Sequence, residues 1–133
     1  MTKKKNPFNT FNVPMSLNID IKTLDFKYKT LLSEGVVSSD VAMDISNYYK
    51  ALRNDFSRGE EILKIYEIDQ DSVQLPDGFL EKIIDGMDVN ELQNLSDEIY
   101  EEIKDIIVTK EVSKDFSIKF MMYKYINKSF LGN

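Results

Sequence analysis

The sequence predicts an all-α fold. Two runs of apolar residues recur at helical spacing, Ile21, Leu24, Tyr28 and Leu31, then Val41, Ile45, Tyr48 and Leu52. No stretch alternates apolar and polar residues long enough to argue for a strand, and there is no internal repeat. With 133 residues and 42% apolar content the chain can bury a core, either as one compact domain or as two small ones sharing a boundary.

The first two helices, Ile19 to Leu32 and Val41 to Arg53, are expected to be antiparallel neighbours. Between them SEGVVSSD supplies a glycine stop at Gly35 and a cap at Ser39. Ser57 and Glu60, three apart, read as a capping box that starts a helix through Ile62, Leu63 and Tyr66, ending near Glu67. Ile68 to Gly78 holds turn formers and no helical period. That places an N-terminal helical domain at 1–68, a linker at 69–77 and a C-terminal three-helix bundle at 78–133. In the bundle, Asp77 is expected to cap a short helix bearing Phe79, Leu80, Ile83 and Ile84. Gly86 weakens that helix, and Asp88 with Glu91 forms a fresh capping box. A longer helix carries Leu92, Leu95, Ile99, Ile103 and Ile106 on one stripe. The last helix, about Ser113 to Phe130, has Phe116, Phe120 and Tyr123 on one face and Ile118, Met122 and Tyr125 on another, so it is either deeply buried or touches something outside its own fold.

Composition excludes several chemistries. With no cysteine and no histidine, disulfides, thiol nucleophiles, imidazole bases and ordinary zinc or haem sites are absent. Charge is uneven: residues 1–58 carry nine basic and six acidic side chains, 59–105 three basic and fifteen acidic, and 106–133 five basic and two acidic. The central acidic block argues against duplex binding, which needs clustered Lys and Arg, and reads as a solvated helical face. Asp69, Asp71 and Asp77 lack the glycine and terminal glutamate of a calcium loop. Glu98, Glu101, Glu102 and Asp105 share a helix without the histidines that a di-iron site wants. Tyr48 and Tyr49 lack the basic groove of a base-stacking platform, and are expected in the core and at its edge. No catalytic residue, metal ligand or cofactor site is expected. No apolar run approaches the roughly 20 residues of a membrane span, and polar NPFNT follows Met1 to Lys5, so the expectation is a cytoplasmic protein.

Two segments, NPFNTFNVP at Asn6 to Pro14 and ISNYYKALRNDFSRGEEILKIY at Ile45 to Tyr66, carry a family likeness. They resemble the J-domain of HscB-type co-chaperones, which bring an iron–sulfur scaffold protein to a DnaK-like ATPase. Pro7, Phe8 and Phe11 match the family's opening, Asp20 and Leu24 its entry into the second helix, and Leu52, Asn54-Asp55, Arg58-Gly59 and Ile62-Leu63 its third-to-fourth helix junction. Phe79-Leu80 is similar to the head of the family's second domain, and Lys119 to Ile126 to its closing helix. The likeness implies a J-domain-like helical hairpin domain followed by the small bundle. The departure is in the segment between Leu32 and Val41, which is short and lacks the His-Pro-Asp tripeptide through which the family triggers ATP hydrolysis.

The resemblance also implies sites. A scaffold-binding face falls on Leu80, Glu81, Ile84, Asp85, Asp88 and Leu92, with Met122 from the closing helix; on the alternative reading Leu80, Ile84 and Leu92 are core. A chaperone-binding face falls on Lys22, Lys27 and Lys29. The implied function is a non-enzymatic co-chaperone-like module of iron–sulfur assembly, binding a scaffold protein and a DnaK-like chaperone without normal ATPase stimulation. The alternatives are a J-like structural or regulatory module with an unrelated partner, and an enzyme working through carboxylates.

Overall fold

The computed structural model describes residues 5–34 and 38–133. Among the described residues the chain is all-helical, with no strand. Helix α1 (Pro7–Thr10) is a single turn held by a reciprocal cap: the Asn6 side chain accepts from the Asn9 N–H at 3.0 Å, and the Asn9 side chain accepts from the Asn6 N–H at 2.8 Å. Proline at its first position gives up no helical hydrogen bond. Phe8 and Phe11 turn inward.

Asp20 starts α2 (Ile21–Ser33), accepting from the Lys22 N–H at 3.0 Å and the Thr23 hydroxyl at 2.9 Å. The Thr23 bond in particular holds its carboxyl below the ordinary value of 3.8. Helix α3 (Ser39–Leu52) is capped by Ser38, one residue before the expected Ser39. The glycine stop expected at Gly35 lies outside the described residues. The two helices run antiparallel, since Tyr28 stacks on Tyr49 at 3.9 Å while Asp25, a turn earlier, meets Arg53 at 2.6 Å.

Helix α4 (Asp55–Ile65) begins earlier than the Ser57–Glu60 pair implies. The Asn54 carboxamide accepts from the Ser57 N–H at 2.8 Å as soon as the chain leaves α3, and the Ser57 hydroxyl is instead spent on the Ala51 carbonyl at 2.7 Å. The helix ends at Ile65 and the chain turns away at Glu67, whose φ of 57° lets the Ile68 N–H return to the Leu63 carbonyl at 2.9 Å and the Glu67 N–H to the Lys64 carbonyl at 3.0 Å. That pair of bonds is a Schellman motif with glutamate where glycine is usual. A 3-10 turn follows at Gln70–Ser72. Helix α5 (Phe79–Gly86) begins on Gly78, at φ 81°, and not on Asp77; no side chain caps it. Asp88 and Glu91 do form the expected box at the head of α6 (Val89–Ile103), at 2.9 and 3.3 Å.

Helix α7 (Ser113–Ser129) runs antiparallel to α6: Glu102 meets Lys119, Tyr100 faces Tyr123, and Ser96 accepts from Asn127. Its other side meets α4, where Gly59 admits the Phe120 ring and Phe56 stacks on Tyr123 at 5.4 Å. Met121, Met122 and Tyr125 pack against the core as well, so most of the second apolar face of the last helix is also used within the chain, while Ile118 is half-buried outside that cluster. One hydrophobic cluster draws on residues from both sides of 69–77. The extended segment before α2 ties the ends together: Val108 donates to the Met15 carbonyl at 2.8 Å and Asn18 to the Lys104 carbonyl at 2.9 Å. Beneath it, buried Arg58 donates to the carbonyls of Leu17 and Leu52 and pairs with Asp55.

Candidate protein-binding face

Helix α5 turns Phe79 and Ile83 into the core. Leu80 and Ile84 stand one position further on, about 100° round the axis, and remain 36% and 59% exposed. Glu81 and Asp85, another 100° round, form the outermost ridge, both exposed. Past the break at Gly86, the exposed carboxylate of Asp88 and the 66% exposed side chain of Val89 follow in the chain. The result is an apolar shoulder beside a ridge of carboxylates. Water contact with those apolar groups is unfavourable, so covering them is a source of binding energy.

The structure divides the expected scaffold-binding set. Leu80, Glu81, Ile84, Asp85 and Asp88 are exposed on the same short stretch. Leu92 is not available: it is 4% exposed, on the inward stripe with Ser96, Ile99 and Ile103. Met122 is half-buried and packs against the core. Val89 was missed, and its spacing could not have found it: it continues the inward Leu92–Ser96–Ile99–Ile103 stripe by one turn, yet at the head of α6 it is 66% exposed.

The three expected chaperone-binding lysines do not share a face. Lys22 and Lys29 are seven apart and lie on the outer side of α2, opposite buried Leu24, with Phe26 between them at 71% exposure. Lys27 is about 140° round from Lys22, and its ammonium donates to the Asn12 carbonyl at 2.9 Å. Phe26 falls off the Ile21–Leu24–Tyr28–Leu31 stripe, which is the signal that marks it as outward.

The remaining acids are individually engaged or solvated. Asp69 accepts from the Asp71 N–H and the Ser72 hydroxyl, both at 3.1 Å. Glu101 pairs with Lys104 at 3.0 Å, Glu102 with Lys119 at 2.9 Å, and Asp105 accepts from Asn18 at 3.1 Å. Between α4 and the 3-10 turn lies a cleft of about 760 Å³ lined by Glu60, Glu61, Glu67, Asp69 and Asp71, with Lys64 among them. Lys124, from α7, reaches Glu60 at 3.0 Å and Gln70 at 2.7 Å. No group of three or more potential ligands converges among the described residues in a way that holds a metal ion. Tyr49 is committed to its stack on Tyr28 and to a hydroxyl bond on Asp25 at 2.6 Å, and with Arg53 it holds the Asp25 carboxyl below its ordinary value. Tyr123, largely desolvated between Phe56 and Tyr100, is pushed up to about 12. Both are packing tyrosines. Among the described residues no helix is long and apolar enough to cross a membrane.

Compared with known proteins, the chain matches no protein-family model, no curated protein and no solved structure.

Proposed function

We propose that this chain is a non-enzymatic helical binding module that docks a partner protein on the shoulder formed by Leu80, Ile84 and Val89. The observation that carries the reading is that three apolar side chains stay exposed within one short stretch, beside the exposed carboxylates of Glu81, Asp85 and Asp88. Apolar anchors beside charged groups are the usual composition of a hot spot with its rim. The HscB likeness supplies the partner: an iron–sulfur scaffold protein, contacted by a patch with apolar sockets and basic neighbours. Lys22 and Lys29 belong to the same reading as a contact for a DnaK-like chaperone, with the ATPase trigger absent because the His-Pro-Asp tripeptide is absent.

Calorimetric titration of the chain with a purified iron–sulfur scaffold protein tests this. Leu80→Ser with Ile84→Ser should weaken binding by about 2–4 kcal/mol if both are anchors. Their exposure means that thermal unfolding should be nearly unchanged, unlike a core truncation. Single-turnover hydrolysis by the chaperone should not accelerate on adding the protein. If the parent never binds a scaffold, the iron–sulfur assignment fails, and if the double variant unfolds early, the shoulder is core and the docking reading fails with it.

A further inference from the structure

The molecule carries two exposed faces that are chemical opposites. On α2, Phe26 projects between Lys22 and Lys29, an aromatic side chain flanked by two ammonium groups. On α5 and the head of α6, Leu80, Ile84 and Val89 sit beside Glu81, Asp85 and Asp88. Each face offers what the other lacks. The wider charge pattern has the same sense, with residues 1–58 net positive and 59–105 strongly negative. Both faces are exposed, so they do not satisfy each other within one chain.

We infer that the occupant of the α2 face is a second copy of this chain, presenting its α5 face: Phe26 of one copy covers Leu80 and Ile84 of the next, with Lys22 and Lys29 opposite Glu81 and Asp85. Such a contact joins two different surfaces: made reciprocally it closes a two-fold dimer, and made head to tail it is heterologous and closes into a ring or continues as a chain of copies. Apolar cover supplies the attraction and the charges set orientation and partner choice. The area is small, so association is weak and depends on concentration and salt. The inference shares its α5 face with the proposed scaffold site and its α2 face with the proposed chaperone contact, so it requires that self-association compete with both, but it does not depend on the identity of either partner.

Sedimentation velocity of the full chain over about 10 μM to about 1 mM, the range suited to a small interface, is the test. The weight-average mass should climb from the 15.5 kDa of one chain towards twice that value or beyond, and fall back in roughly 0.5 M salt. Lys22→Glu with Lys29→Glu should abolish the rise, and so should Glu81→Lys with Asp85→Lys. Mixing the two variants in equal amounts should restore association, because each then meets a face of opposite charge. All four positions are exposed, so folding is preserved, and circular dichroism verifies it. A chain that stays monomeric throughout overturns the inference, as does association that survives either reversal or a mixture that fails to re-associate. The K22E/K29E variant keeps the α5 face whole, so scaffold binding measured on it separates failure of this inference from failure of the functional one.

Discussion

Arg58 carries a full charge and is 2% exposed, with one carboxylate partner. Burial pushes its pKa down and Asp55 opposes the shift, so its place in the core rests on hydrogen bonds as much as on charge. Its guanidinium holds the carbonyls of Leu17 and Leu52, one from the extended segment and one from the end of α3. Removing it strands two buried acceptors, so Arg58→Met should cost about 2–5 kcal/mol in denaturant unfolding, and Arg58→Lys should recover little, because an ammonium cannot reproduce the planar fork. Sequence reading placed Arg58 in the first turn of a helix and could not see further. Its carbonyl partner at Leu17 is 41 positions away, and a charged residue in isolation reads as surface. Leu92 and Leu80 show the same limit in reverse: the family likeness put both on one binding face, whereas the fold buries Leu92 on the inward stripe of α6 and leaves Leu80 at 36% exposure on α5.

Two glycines separate the elements that are sterically forced from those that are merely weak. A Cβ on Gly59 would lie 2.1–2.6 Å from the Phe120 ring, so α4 and α7 approach at a distance that only glycine allows. Gly59→Ala should therefore destabilise by about 1–3 kcal/mol despite alanine's better helix propensity, and Phe120→Leu in the same chain should return part of the loss. Gly86 meets nothing within 4 Å, and Gly86→Ala should raise stability by about 0.5 kcal/mol by extending α5; thermal unfolding reads both. At this scale much was legible. The helices α2, α3, α6 and α7 and the Asp88–Glu91 box follow from local spacing, although Val41 of the second stripe is exposed and Ile106 lies beyond the end of α6. The ends that went astray are those with another residue able to take the cap position nearby: Ser38 beside Ser39, Asn54 ahead of Ser57, and Gly78 after Asp77. A glutamate at φ 57° in a Schellman turn could not be read from propensity at all.

For the molecule as a whole, α7 is shared between α4 and α6, and the 3-10 turn is bridged by Lys124 through Gln70. Helices on either side of residues 69–77 are thereby coupled, and denaturant unfolding should give one transition that coincides by far-UV dichroism and by tyrosine fluorescence; two separated transitions would assign independent stability to each part. The binding face was legible in half: spacing found Leu80, Ile84 and the acids, whereas its boundary, with Val89 added and Leu92 and Met122 withdrawn, depends on which helices lie against which. The bonds from Met15 to Val108 and from Asn18 to Lys104 have one further consequence, for synthesis. As the chain leaves the ribosome, residues 15–18 are made about 90 residues ahead of their partners at 104–108. During that interval the Met15 carbonyl and the Asn18 N–H lack these partners, so the extended segment before α2 is held only by its nearer contacts until the later stretch arrives.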